Sequence, residues 1–319
     1  MFDDASSRRQ FVRGALAGGA ALGLGFGLRP SRAADVSGKP AAGKIGDFKI
    51  SLAEWSLHQA LFAKDAKITN LDFPRIAREE YGIDGVEFVN QFFMGKARDS
   101  AYLKELKRRA DDQGVTCVLI MIDREGDLSA KDKAVRMKAV EDHKKWVDAA
   151  AALGCHSIRI NTGKNYSPTD LEEPAEACAA LTEYADEHKI NVICENHGGS
   201  SSDPDALVAL MKKVNMPRFG TLPDFGNWPN LLHKYSIDVY DAIARVMPFA
   251  KGVSAKSYDF DAEGREKYLD YPRIMKIVTD AGYHGHVGIE YEGARLSEPE
   301  GIKATKRLLE SLRGSMYTP

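Results

Sequence analysis

The sequence predicts an α/β protein folded as a closed (β/α)8 barrel. Three observations carry this. From about residue 48 onward, short apolar runs alternate with longer amphipathic stretches. Eight such runs can be counted, and eight strand–helix units in roughly 250 residues is the arithmetic of a (β/α)8 barrel. No G-x-G-x-x-G follows the first run, so an open doubly wound sheet that binds a dinucleotide is the weaker reading.

The strand candidates, in order, are FKISLAEWS (48–56), DGVEFVN (84–90), VTCVLIMID (115–123), HSIRINTG (156–163), INVICENH (190–197), FGTLPDFG (219–226), AKGVSAKSYDF (250–260) and HVGIEYEG (286–293). Between them lie stretches such as DSAYLKELKRRADDQG (99–114), MKAVEDHKKWVDAAAALG (137–154) and LEEPAEACAALTEYADEHK (171–189). Each places apolar residues at helical spacing with charges on the opposite face. Gly114, Gly154 and Gly282 stand where helices should stop.

The start of the chain reads differently. SSRRQFVRGALAGGAALGLGFGLRPSRAAD has paired arginines, Arg8 and Arg9, then Phe11, a weakly apolar stretch and a small-residue site at Ser31-Arg32-Ala33. This is signal-peptide layout and resembles the twin-arginine export signal, so residues 1–34 are expected to be a cleaved leader peptide. Cleavage leaves no stable membrane insertion, and the protein is expected to be periplasmic or otherwise exported. Residues 35–47, DVSGKPAAGKIGD, read as a flexible leader, and the barrel is expected over 48–319.

A net charge of −2 argues against nucleic acid as a partner, because phosphate binding needs clustered positive charge. Cys117, Cys155, Cys178 and Cys194 show no metal-binding spacing and read as buried thiols.

In a (β/α)8 barrel, chemistry sits at the C-terminal ends of the strands. Strand 5 closes on Glu195 and His197, strand 6 on Asp224, Asn227 and Trp228, and strand 8 on Glu290 and Glu292. Strand 7 carries Ser254, Lys256 and Asp259; strand 4 gives Arg159 and Asn161; strand 2 gives Glu87 and Asn90. Three carboxylates near one axis need a cation or shared protons. Oxygen ligands favour Mn, Mg or a similar divalent ion; the Lys256 ammonium is the alternative cation.

ENHGG, PDFGNW and GIEYEG, over about residues 48–315, resemble the strand-end motifs of the xylose-isomerase-like TIM-barrel superfamily. The resemblance implies Glu195, Asp224 and Glu290 as metal ligands, with Glu195 and Glu290 flanking a sugar and moving a proton beside its carbonyl. Two positions depart from the family pattern. Ser254 stands where strand 7 often has a His ligand, and Asn227 where strand 6 often has a His. His197 would relay a proton, bind a substrate hydroxyl or complete the metal shell. Lys256 would hold an enediolate oxygen. Trp55 and Trp228 are candidate stacking platforms for a sugar, and His58, Glu87, Arg159 and Asn161 candidate rim contacts.

The expectation is an exported isomerase or epimerase acting on a non-phosphorylated sugar or keto-sugar. A lyase or hydratase of an oxidised sugar or glycoside is the alternative within catalysis, and a non-catalytic sugar-binding barrel the alternative outside it. A homo-oligomer is compatible with each. Export has a direct check: replacing Arg8 and Arg9 with Lys should leave precursor in the cytoplasm on fractionation, and undiminished export would rule out the twin-arginine route.

Overall fold

The computed structural model describes residues 40–228 and 237–319. The expected signal peptide, 1–34, and the first part of the expected leader, 35–39, lie outside the described residues. Eight parallel strands alternate with helices. They are β1 Lys49–Ala53, β2 Gly85–Val89, β3 Thr116–Met121, β4 Ser157–Ile160, β5 Asn191–Glu195, β6 Phe219–Leu222, β7 Val253–Ser257 and β8 His286–Tyr291. The helices that follow them are α1 Phe73–Tyr81, α2 Ser100–Asp112, α3 Lys133–Leu153, α4 Glu172–Glu187, α5 Pro204–Val214, α6 Val239–Val246, α7 Tyr271–Asp280 and α8 Glu298–Leu312.

Local chemistry sets where these helices begin. Asp99, Asp132, Asp203, Asp238 and Asp270 each cap a helix by accepting from backbone N–H groups of the first turn. Ser297 and Glu300 form a reciprocal capping box at α8. Gly154 ends α3 with φ of 74°, a left-handed conformation that a side chain would strain.

The strands run in the order β6-β5-β4-β3-β2-β1-β8-β7, every ladder parallel. The ring closes between β6 and β7 through two parallel bridges, Thr221 with Ala250 and Asp224 with Ser254. Ser254 carries this seam: its N–H donates to Pro223 O and its O accepts from Phe225 N–H, both at 3.0 Å. Side chains alternate across the sheet. Leu52, Phe88 and Ile120 face outward and pack with the helices in the main core. Ala53, Val89, Leu119, Ile193 and Leu222 form a second, smaller apolar cluster inside the barrel, with Trp55 and Phe92 packed on it. All four cysteines are free and buried. No helix among the described residues is long and apolar enough to cross a membrane.

The stretch expected to be a flexible leader up to residue 47 is shorter than the sequence suggested. Gly43–Lys44 pairs antiparallel with Met316–Tyr317, Ile45 N–H donates to Ser315 O at 2.8 Å, and Ile45 is fully buried. Glycine and lysine around one isoleucine concealed a strand whose partner is remote in sequence. Ile45→Ala should therefore cost about 2–5 kcal/mol in urea unfolding, as truncation of a buried aliphatic does; a change near zero would return this stretch to a loose leader.

Candidate active site

The inward-facing positions near the C-terminal ends of β5, β7 and β8 carry charge instead of apolar side chains. Glu195 ends β5, Ser254 and Lys256 lie on β7, and Glu290 lies on β8. Asp224 follows β6 at the seam. One carboxylate oxygen each from Glu195, Asp224 and Glu290 lies within 4.8 Å of the others, and all three residues are buried. The convergence expected from sequence is present.

Asp224 is held on all sides. Asn196 accepts from its backbone N–H at 2.7 Å and donates to its carbonyl at 3.0 Å, so an amide side chain ties the ends of β5 and β6 together. Its Oδ1 accepts from the N–H groups of Gly226 and Asn227, both at 2.8 Å, and its Oδ2 from Ser254 Oγ at 2.6 Å. Asn227 also donates through Nδ2 to Glu195 Oε1 at 2.9 Å. The amide thus supports Glu195 at the position where the resemblance led us to expect a histidine.

Two buried cations flank the carboxylates. Lys256 Nζ lies 2.9 Å from Glu290, 3.1 Å from Glu292 and 4.0 Å from Asp224. Arg159 bridges Asp123 and Glu195, each at 2.8 Å. The Arg159 Nε–Glu195 contact is close, but its N–H is not aligned on the oxygen, and Glu195 Oε2 has no hydrogen bond. That oxygen is held by the Arg159 charge and keeps its hydrogen-bonding capacity for a proton or a ligand.

The electrostatics follow from this inventory. Burial drives the Glu195 carboxyl up to about 7; Arg159 opposes the rise and Glu290 adds to it. Burial likewise raises Asp224 to about 7, against the pull of Lys256. Burial disfavours the Lys256 ammonium, but Glu290, Asp224 and Glu292 outweigh it and hold the lysine protonated. Burial would raise Glu292 too, yet Lys256 keeps it below its ordinary value.

The donor set can be tested against a divalent ion. Glu195, Asp224 and Glu290 offer only oxygen, which suits a small hard cation such as Mg or Mn. Burial raises two of them to about 7, and a bound divalent ion would oppose that rise by favouring the ionised form. These residues fit such an ion. Ser254 adds no imidazole and spends its hydroxyl on Asp224.

The other expected residues divide into those the mouth gathers and those it does not. Trp55 reaches the centre: its Nε1 donates to Glu292, and its ring stacks on His58 at 4.9 Å. His58 itself turns to the Trp55 carbonyl, 2.8 Å away, and toward Glu298 at 3.5 Å, so it supports Trp55. Asn161 donates to Asp123 at 2.8 Å and leaves its Oδ1 unpartnered. His197 keeps solvent access at the mouth while its backbone N–H donates to Ser201 Oγ at 2.9 Å. Desolvation by the surrounding wall, then Arg159 and Lys256, push its imidazole below the ordinary value. Trp228 is buried, with an unpartnered Nε1.

Glu87 is not on the rim. It is 1% exposed inside the barrel, accepts from Ser51 Oγ at 2.6 Å, and a Cβ on Gly288 would come within 2.5 Å of its carboxylate. Burial raises it to about 8. Being inward on a strand does not place a residue at the strand's open end. Asp259 also leaves the site, pairing with Lys267 and Arg295.

Asp123, Gln91 and Asn196 were missed. Asp123 closes the third apolar run and met the same strand-end criterion as the others. Asn90 clamps its backbone from both sides, accepting from its N–H at 3.0 Å and donating to its carbonyl at 2.9 Å. Gln91 donates to its carboxylate at 3.0 Å.

A barrel with acids converging at its C-terminal mouth defines a class of protein, and comparison with known proteins agrees. Residues 76–313 match the family model described as Xylose isomerase-like TIM barrel, and the chain belongs to that family. A Xylose isomerase-like TIM barrel protein from Mycobacterium smegmatis, in complex with magnesium, is similar at 19% identity and a TM-score of 0.65, over 83% of this chain and 96% of that one. The 3-keto-D-glucoside 4-epimerase YcjR from E. coli, in its apo form, is similar at 13% identity and a TM-score of 0.66, over 83% of this chain and all of that one. Such identities speak for the fold alone. A C-glycoside deglycosidase alpha subunit from Arthrobacter globiformis is 38% identical over 65 residues, which is 19% of this chain and 18% of that relative.

The pH dependence has a definite sign. An acid whose folded pKa exceeds its unfolded value stabilises the fold while protonated, and that contribution is lost as pH rises through the folded value. With Glu195 and Asp224 at about 7, the chelator-treated protein should lose melting temperature as pH rises from about 4 through 7. Glu87 and Glu54, both at about 8 through burial, act in the same direction. Mg²⁺ or Mn²⁺ should raise the melting temperature far more at about pH 8 than at about pH 5, because protons compete for the same oxygens. An equal effect at both pH values, or none, would separate the trio from metal binding.

Proposed function

We propose that this protein is a sugar isomerase or epimerase that abstracts a proton next to the carbonyl of a non-phosphorylated sugar or keto-sugar. The observation that carries the reading is the pairing of Glu195, raised to about 7, with Glu290 and the Lys256 ammonium 2.9 Å from it. A carboxyl near neutrality both takes and returns a proton at working pH.

Glu195 takes the proton from the carbon beside the carbonyl. The C–H electron pair moves into a C–C double bond and the carbonyl electrons onto oxygen, giving an enediolate. Lys256 donates a hydrogen bond to that oxygen. In an epimerisation Glu290 enters protonated, gives its proton to the carbon from the other face and ends as the carboxylate beside Lys256, while Glu195 keeps the proton it took; in an isomerisation Glu195 returns that proton to the neighbouring carbon. A divalent ion held by Glu195, Asp224 and Glu290 supplies Lewis-acid polarisation of the carbonyl when bound.

Support for an unphosphorylated substrate comes from charge: both cations at the centre, Lys256 and Arg159, are committed to carboxylates. The paired arginines of SRRQFVR support export, where free sugars are the accessible class. A lyase reading is the second one, favoured by the partial match to a C-glycoside deglycosidase subunit. Elimination from the same enediolate would expel a group from the next carbon.

Incubation with a panel of keto-sugars in D₂O, followed by NMR, should show solvent deuterium at the carbon beside the carbonyl. No exchange with any sugar, with or without Mn²⁺, would leave a binding barrel. Lys256→Met should lower turnover by about 10²–10³, the usual cost of one oxyanion donor, with the circular dichroism unchanged. Near-normal turnover of that variant in saturating Mn²⁺ would remove Lys256 from the mechanism.

A further inference from the structure

The carboxylate chemistry uses one side of the mouth and leaves the aromatic side without a task. Trp55 and Phe92 lie on the apolar plug inside the barrel, their ring centroids 6.1 Å apart. Phe62 completes the group, 4.8 Å from Phe92 and 6.0 Å from Trp55, yet stands 51% exposed. Phe62 and Phe92 line an open pocket of about 430 Å³ together with Leu61, Ile68, Leu71 and Phe93, and with Asn70, Lys96 and Tyr102 on its polar side. An apolar cavity of about 150 Å³ already holds benzene. This one has room for a substituted ring.

Two links join the cavity to the carboxylate centre. Phe62 and Phe92 line the cavity and touch Trp55, whose Nε1 donates to Glu292, the partner of Lys256. Gln91 also lines the cavity and donates at 3.0 Å to Asp123, the partner of Arg159. Gln91 Oε1 and Asn161 Oδ1 are buried acceptors without donors. A ligand crossing from the centre to the cavity must bring hydroxyl donors to these acceptors and an apolar group to the rings.

We propose that this pocket is an aglycone subsite: the substrate is a keto-sugar glycoside whose apolar or aromatic aglycone lies in the pocket against the Phe62 and Phe92 rings while its sugar ring lies over the carboxylates. This rests on the sugar reading given above and narrows its substrate class. A free monosaccharide would leave the cavity unused and Phe62 in water.

Calorimetric titration of the full chain with matched methyl and phenyl glycosides of 3-keto-glucose tests it. The phenyl compound should bind at least about tenfold more tightly, as burial of a ring predicts. Phe62→Ala should erase most of that ratio and leave the methyl glycoside's affinity unchanged. Equal affinities in the parent protein, or an intact ratio in Phe62→Ala, would overturn the subsite and leave the sugar reading standing, since the methyl glycoside reports on that alone. Binding of neither compound would overturn the sugar reading and the subsite with it. If Phe62→Ala altered sedimentation and not the ratio, the ring would belong to a contact between copies and the subsite would be refuted.

Discussion

The ammonium of Lys256 is the charge on which the rest of the mouth depends. Removing an ammonium from water costs several kcal/mol, and only close carboxylates offset that. Lys256 is 2% exposed and holds Glu290 and Glu292 at 2.9 and 3.1 Å. Through Glu292 it fixes Trp55, and with Trp55 the edge of the aromatic wall. Arg159 does the same on the opposite side, joining Glu195 to Asp123 and through Asp123 to Gln91 and Asn161. Each cation thus serves two carboxylates. Asp224 stands between them, and with Lys256 at 4.0 Å as its nearest cation among the described residues it is the most weakly paired of the three converging acids.

That acid sits where the barrel closes. The β6–β7 junction rests on isolated bridges, one of which pairs Asp224 with Ser254. Pro223 has no N–H to give, and the Asn196 side chain supplies the missing cross-strand contact at Asp224. Ser254 then bonds both ways, its backbone to the seam and its hydroxyl to the Asp224 carboxylate. Closing the sheet and aiming the acid are one set of hydrogen bonds. A weak spot in the ladder becomes a rigid mount because every polar atom of Asp224 has a partner in it.

The fold was legible because each strand–helix unit repeats the same two periodicities, and the acids at the ends of strands 5, 6 and 8 were legible because a carboxylate after an apolar run is conspicuous. Glu87 looked equivalent, but the run around it is short, and sequence alternation gives the face of a strand without the depth. Asp123 obeyed the strand-end rule and was passed over. Asn196 could not be read, since its role is toward the backbone of a residue 28 positions away. Gly43–Lys44 was hidden for a similar reason: a two-residue strand has no periodicity, and only its distant partner defines it.

The exchange at position 254 bears on how the site balances protons, ammonium and metal. A neutral imidazole there would add a ligand without adding charge; the serine hydroxyl adds neither and instead lowers the energy of ionised Asp224 by donating to it. Lys256 meanwhile draws on the same carboxylates a divalent ion would use. Both features weaken the trio's hold on a metal relative to a fully liganded site, because fewer donors and less net negative charge remain. Neither removes the lysine as a donor to substrate oxygen, since Glu292, outside the trio, stays 3.1 Å from its ammonium. In the reaction proposed above, the burden of stabilising negative charge on substrate oxygen would therefore shift from a bound ion toward Lys256, the same lysine that makes the buried acids tolerable.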